Sequence, residues 1–209
     1  MYLRKFFSYV FLLLILFVTF IFILAKSYSD AVFNSISDNF VRLHIVANSD
    51  STEDQILKYE IRDAVINYLS PFLENARDKN DAQNIISAHI DDISCISNQI
   101  IVSKNLSYPI NVSVGKFKFP TRDYSEFVLP EGNYDALKID IGEAHGQNWW
   151  CVMFPSICIP DSNNIFTKNN STDLLADTLD SEEFSIITKN SSSTEVKIKF
   201  KIIEIFENL

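Results

Sequence analysis

Glycine is nearly missing from this 209-residue chain, which holds four. Three of them, Gly132, Gly142 and Gly146, fall within fifteen residues, and such clustering marks backbone that turns tightly or takes positive φ. Cysteine is scarce too: Cys95, Cys151 and Cys158 form no Cys-x-x-Cys pair. His44, His89 and His145 are scattered without His-x-x-x-His spacing, so no metal site is expected. A P-loop and a dinucleotide glycine fingerprint are both missing, and no cofactor is expected. Basic residues are outnumbered 18 to 27, for a net charge of -9. That argues against a broad phosphate-neutralising surface, and so against nucleic acid as a partner.

What the chain has in excess is apolar sequence at its start. Phe6 to Leu24 is uncharged, with Ser8, Tyr9 and Thr19 as its polar interruptions, and Arg4 and Lys5 precede it. About twenty apolar residues span a bilayer core, and leading positive charge keeps the N-terminus cytoplasmic. Residues 1–26 therefore read as a transmembrane anchor or a signal peptide, and Tyr28 onward is expected outside the cytoplasm. The apolar core is longer than a typical signal, and the small-x-small sites Ala25-Lys26-Ser27 and Ser29-Asp30-Ala31 are weak. Both fates stay open.

Residues 27–39 read as a linker or short helix. Phe40 to Ala47 alternates as a strand with one better-buried face. Asn48-Ser49-Asp50-Ser51 stops it and offers helix caps, with Ser51 and Asp54 resembling a capping box. Leu57, Ile61, Ala64, Val65, Tyr68 and Leu69 are spaced for a helix that Pro71 closes, on which Lys58 and Arg62 share a face, either solvated or partner-contacting. A second long amphipathic helix is expected over 81–105, with His89 inside it and Cys95 as a small core residue. Ile110 to Gly115 and Tyr134 to Ile141 alternate as strands, and 125–129 suits a short one. Gly142 to Gly146 turns the chain into Asn148–Phe154, whose apolar run suits a central strand covered on both faces, in a hairpin with the preceding strand. Residues 161–194 are a polar, flexible excursion with a short helix near 173–179. Residues 195–209 suit a helix or a strand.

Chemistry is thinly supported. Cys151, His145 and Asn148 are the types of a thiol hydrolase, but in a hairpin His145 sits in the turn and Cys151 well along the returning strand, which makes contact doubtful. No catalytic residue is assigned. Cys151 and Cys158 suit a disulfide outside the cytoplasm, contributing about 2–3 kcal/mol, or two buried thiols. Trp149 and Trp150 point to opposite faces of a strand, either as core or as a partner anchor.

Three blocks resemble the stage II sporulation protein R family: Arg42 to Asp50 continuing through Asp54-Gln55, Lys58 and Arg62 to Val65; Phe119-Pro120 with Tyr124; and Leu129-Pro130 through Gly132, Tyr134, Gly142 and Gly146 to Asn148-Trp149-Trp150-Cys151 and Cys158. The resemblance implies a signal rather than an enzyme. Such a protein is exported from the forespore into the space between forespore and mother cell. There it activates a membrane-embedded aspartic protease, so that the precursor of sigma-E is processed. It makes Arg42, His44, Asn48, Asp50, Asn148, Trp149 and Trp150 candidate partner-binding residues. An exported cell-wall hydrolase using an unlocated carboxylate pair is the alternative. The expected fold is α+β: an N-terminal membrane-crossing helix, then a mainly antiparallel sheet with two long helices on one face and a C-terminal helix. Residues 40–160 form the signalling domain in this reading.

Overall fold

The computed structural model describes residues 2–124, 126–157 and 171–188. In chain order the elements are α1 (Tyr2–Ser37), β1 (Val41–Val46), α2 (Thr52–Leu73), α3 (Lys79–Ala88), α4 (Ile90–Ser103), β2 (Ile110–Phe119), β3 (Arg122–Asp123), β4 (Val128–Leu129), β5 (Gly132–Ile141), β6 (Asn148–Phe154), α5 (Ser171–Thr178) and α6 (Ser181–Ile187).

α1 is long and apolar enough to cross a membrane by length and composition. Its side chains from Arg4 to Phe20 are exposed, as those of a helix without a polar face are until lipid covers them. The stretch read as a linker or short helix continues α1 unbroken to Ser37. Its last turns join the domain. Ile36 is fully buried, with Val32 and Phe33 packed beside it.

The sheet order is β2-β5-β1-β6. β1 runs parallel to β5, with Leu43 opposite Leu137, and antiparallel to β6, with Leu43 opposite Cys151. β2 is antiparallel to β5. The expected hairpin is therefore wrong: β1 lies between β5 and β6, and the glycine turn passes over its end. β6 is covered on both faces but sits at the sheet edge among the described residues, because a continuous apolar run reports two covered faces and not a central position. β1 and β5 are the interior strands, and all six residues of β1 are buried, polar ones included.

α2 starts where expected: Ser51 Oγ accepts the Asp54 N–H at 3.2 Å. It passes through Pro71 and ends at Leu73, so the proline sits inside the last turn. The second long helix is broken into α3 and α4 at His89. Asp91 and Asp92 occupy the first turn of α4, where negative charge favours a new helix start. Cys95 is exposed on α4, because the buried face is carried by Ile93, Ser97 and Ile101.

Two cores result, one on each face of the sheet. On the first face Leu43, Ile45, Leu137, Ile139, Cys151 and Met153 meet Leu57, Ile61, Val65, Ile86 and Ile93 of α2, α3 and α4. On the second face Phe119, Tyr134, Ala136 and Val152 meet Ile36 and Phe40, with Leu175 and Ile187 of α5 and α6. The α+β architecture is as expected, with α2 and the broken α3–α4 pair as the two long helices. Within the polar stretch, 171–188 is largely helical and buries Leu175 and Ile187 completely or nearly so. Ser35 Oγ of α1 donates to Glu183 Oε1 at 2.5 Å, which ties α6 to the end of α1. Residues 195–209 lie outside the described residues, as does Cys158.

Candidate partner-binding site

Alternation along β1 divides the sequence-predicted residues. Leu43 and Ile45 enter the first face, so Arg42 and His44 enter the second. Arg42 is fully buried. Its Nη2 donates to Tyr124 Oη. The guanidinium carbon lies 4.2 Å from the Phe119 ring centre and 4.8 Å from that of Tyr134, within cation–π range. Burial pushes the Arg42 pKa down, against the pull of Tyr124 and Tyr134. Burial likewise pushes Tyr134 up to about 12, against the pull of Arg42.

His44 is 8 % exposed and stacks on Trp150, with ring centres 3.8 Å apart and planes 14° apart. Register explains the stack, because His44 and Trp150 are direct cross-strand partners. Its Nε2 lies 2.6 Å from Asn148 Oδ1. An amide oxygen only accepts, so Nε2 carries the proton. Burial lowers the His44 pKa despite this hydrogen bond, which keeps the ring neutral at neutral pH.

Asn48 and Asp50 hold the glycine turn. Asn48 Oδ1 accepts the Glu143 N–H at 2.9 Å, and its carbonyl accepts the His145 N–H at 3.2 Å. Asp50 Oδ1 accepts the Gln147 N–H at 2.7 Å. The Gly146 N–H bonds the Ala47 carbonyl at 2.9 Å. This clamp explains two of the scarce glycines. Gly142 has φ +59°, and a Cβ there would lie 2.1 Å from Asn48 Oδ1. A Cβ on Gly146 would lie 2.2 Å from the Ser49 carbonyl oxygen.

Asp54 supports the clamp from below, which is why the capping box stays half-formed. Its Oδ2 accepts from Asn48 Nδ2 at 2.8 Å and from Ser49 Oγ at 2.6 Å. Burial pushes this carboxyl up, but the hydrogen bonds from Ser49, Asn48, Tyr108 and Ser51 outweigh it and hold the pKa below the usual range. Lys58, read with Arg62 as a solvated or partner-contacting face, is 1 % exposed and donates to the Gln147 carbonyl at 3.1 Å.

Trp149 faces the other way, on the first face at the sheet edge. Arg62 lies over its ring at 4.4 Å, and Tyr59 meets it edge-on at 5.6 Å. Tyr59 and its neighbour Ile56 are exposed, at 37 % and 50 %. Trp149, Arg62, Tyr59 and Ile56 thus form one surface platform of aromatic, cationic and aliphatic groups. Reading the sequence alone missed Tyr59, and it named Lys58, Phe119 and Tyr124 without bringing them to this region. Helical spacing places Tyr59 beside Arg62, but nothing local places either against Trp149.

The thiol-hydrolase grouping is not assembled. His145 is exposed in the turn, its Nδ1 3.5 Å from Glu143 Oε2, while Cys151 is buried opposite Leu43 on the first face. Among the described residues no His, Cys, Asp and Glu cluster could hold a metal ion.

The family model described as stage II sporulation protein R matches residues 37–164. The chain belongs to the stage II sporulation protein R family. Stage II sporulation protein R of Bacillus subtilis (strain 168) is 37% identical over 129 residues, which is 62% of this chain and 58% of that protein. The chain thus aligns with little more than half the length of that relative. No solved structure matches. The family region begins at the last turn of α1 and takes in the whole sheet, the clamp and both tryptophans. α5 and α6 lie beyond it.

Proposed function

We propose that this chain is an exported signalling protein of sporulation. In this reading its N-terminal segment carries or anchors the domain in the space between forespore and mother cell. There the domain activates a membrane-embedded aspartic protease, and the precursor of sigma-E is processed. The family match across the entire sheet is the observation that carries the reading. A helix fit to cross a membrane, joined to a domain that buries the end of that helix, supports the exported location.

The contact surface in this proposal is the edge of β6 with the platform of Trp149, Arg62, Tyr59 and Ile56. Trp, Tyr and Arg dominate interface hot spots, and this group lies at a surface where a partner can reach it. Of the candidate residues, Asn48 and Asp50 act by holding the turn beside that edge, and Arg42 and His44 by building the face behind it. Cys151 and Cys158 form a disulfide in this reading. A mass difference of about 2 Da on reduction is expected, and an unchanged mass removes the bond.

The test is co-expression of the chain with the protease and the sigma precursor. Processing should depend on the chain and fall when Tyr59 and Ile56 are both changed to Ala. Processing that is equal with and without the chain overturns the signalling reading.

A further inference from the structure

The last turns of α1 change character. Phe6 to Leu24 offers no polar face, but Tyr28, Val32 and Ser35 follow at i, i+4 and i+7, one stripe along a helix, with Asn39 just past its end. The polar members of this stripe bond α6. Tyr28 Oη donates to Glu182 Oε1. Ser35 Oγ donates to Glu183 Oε1 at 2.5 Å, and Asn39 Nδ2 donates to Glu183 Oε2 at 3.3 Å. Glu183 is 6 % exposed, and the same carboxylate closes the capping box of α6 by accepting the Asp180 N–H at 3.2 Å. One side chain thus starts α6 and holds it to α1.

Apolar packing backs these bonds. Ile36 of α1 is buried in one cluster with Leu175, Leu179 and Ile187, and Val32, Phe33, Phe184 and Ile186 pack against it. Thr188 then pairs with Phe127 of the domain. α5 and α6 have eight and seven residues, too few for a helix to persist undocked, so their order comes from this contact. Tyr28, Ser35, Glu182 and Glu183 all lie outside the family-matched residues 37–164. From Leu24, where the apolar run ends, to Tyr28 is about 6 Å of helix, which leaves no slack between span and domain.

We propose that α5 and α6 are a clasp that welds the end of α1 to the domain, so that apolar span, helix and sheet turn as one body and the β6 edge is presented in a fixed orientation to the membrane. A flexible linker in place of 28–39 would let the domain tumble, and a partner would then have to restrain that freedom on binding. The clasp removes the freedom beforehand. Fixed presentation rests on the signalling reading with the span in place; the clasp itself does not.

Hydrogen exchange on the full chain in detergent micelles tests the clasp. The amides of 32–37 should exchange about tenfold faster in Glu183→Ala than in the parent, with those of β1 unchanged. A folded Glu183→Ala whose 32–37 amides exchange as in the parent overturns the clasp. Should Glu183→Ala fail to fold, Tyr28→Phe combined with Ser35→Ala decides on the same amides: severalfold faster exchange supports the clasp and unchanged exchange overturns it. A flexible insert of about ten Gly and Ser residues between Ser27 and Tyr28 tests the presentation, because it keeps the clasp and adds slack. At equal export it should reduce sigma-precursor processing severalfold. Full processing by the inserted chain overturns fixed presentation and leaves the signalling reading standing. Processing that is the same without the chain overturns the signalling reading and the presentation with it, while exchange still decides the clasp.

Discussion

The two faces of the sheet are built from the same strands by alternate residues, yet they obey different physics. The first face is close to dry hydrocarbon. Leu43, Ile45, Leu137, Ile139 and Met153 sit under α2, α3 and α4, and the buried charges on this side, Lys58 and Asp135, are each partnered, by the Gln147 carbonyl and by Lys79. The second face places a whole guanidinium and an imidazole among aromatic rings, with Arg42 Nε and Nη1 and His44 Nδ1 unpaired among the described residues. A one-residue slip of β1 would exchange these sets, so register decides everything here. Stability is expected to concentrate on the first face, where the aliphatic side chains of three helices and the sheet cluster. In the proposed reading, partner contact is made at the edge strand where the two faces meet.

That contrast is open to direct attack. The largest effect is expected on the first face. Leu43→Ala should cost about 2–5 kcal/mol by denaturant unfolding, as a core cavity does. Arg42→Met, one residue away on the second face, should cost far less or stabilise, since it removes a buried charge without a counter-charge. Equal losses from the two would erase the distinction.

Next comes the turn that joins the faces. Gly142→Ala should cost about 1–3 kcal/mol through backbone strain alone, with the Asn48 contact adding to it. The paired variant Gly142→Ala with Asn48→Ala should recover part of that loss. If the double variant is no better, the clamp does not explain the glycine.

A smaller effect belongs to pH. Burial sets the folded pKa of His44 below its ordinary value of 6.5. The unfolded chain therefore binds the proton more readily, so this contribution is present above about pH 6.5 and is lost as pH falls toward the folded pKa. Melting temperature measured downward from neutral pH should fall, and His44→Phe should flatten the curve. A curve unchanged by the substitution would mean that His44 is not its source. Asp54 contributes in the same sense at lower pH, because its folded pKa also lies below its ordinary value.

The smallest stability effect is expected at the edge platform. Tyr59→Ala and Ile56→Ala lie on the exposed side of α2 and should change stability within about 0.5 kcal/mol while reducing processing. A large loss of stability would turn the platform into core and remove its role in contact.

Local chemistry was legible wherever neighbours in sequence are also neighbours in space. The Ser51 cap, the spacing of Leu57, Ile61 and Val65, the strand alternation of Tyr134 to Ile141 and the turn at Gly142 are all short-range features, and they stand as read. The break at His89 and the exposure of Cys95 were harder, since both depend on which side of a helix the sheet lies. Lys58 is the sharpest case. Its spacing from Arg62 reads as one shared face, but the Gln147 carbonyl waits for it across 89 residues of chain.

The sequence by itself determined the apolar span, the α+β content and the family blocks, because composition, periodicity and capping act over a few residues. It also placed the scarce glycines at one turn. Only the tertiary structure decided that β1 inserts between β5 and β6. That insertion turned an expected hairpin into a clamp, set His44 against Trp150 and sent Trp149 to Arg62. The physical reason is that strand order is set by long-range pairing and by which faces find cover, and neither leaves a mark on the residues next to the turn.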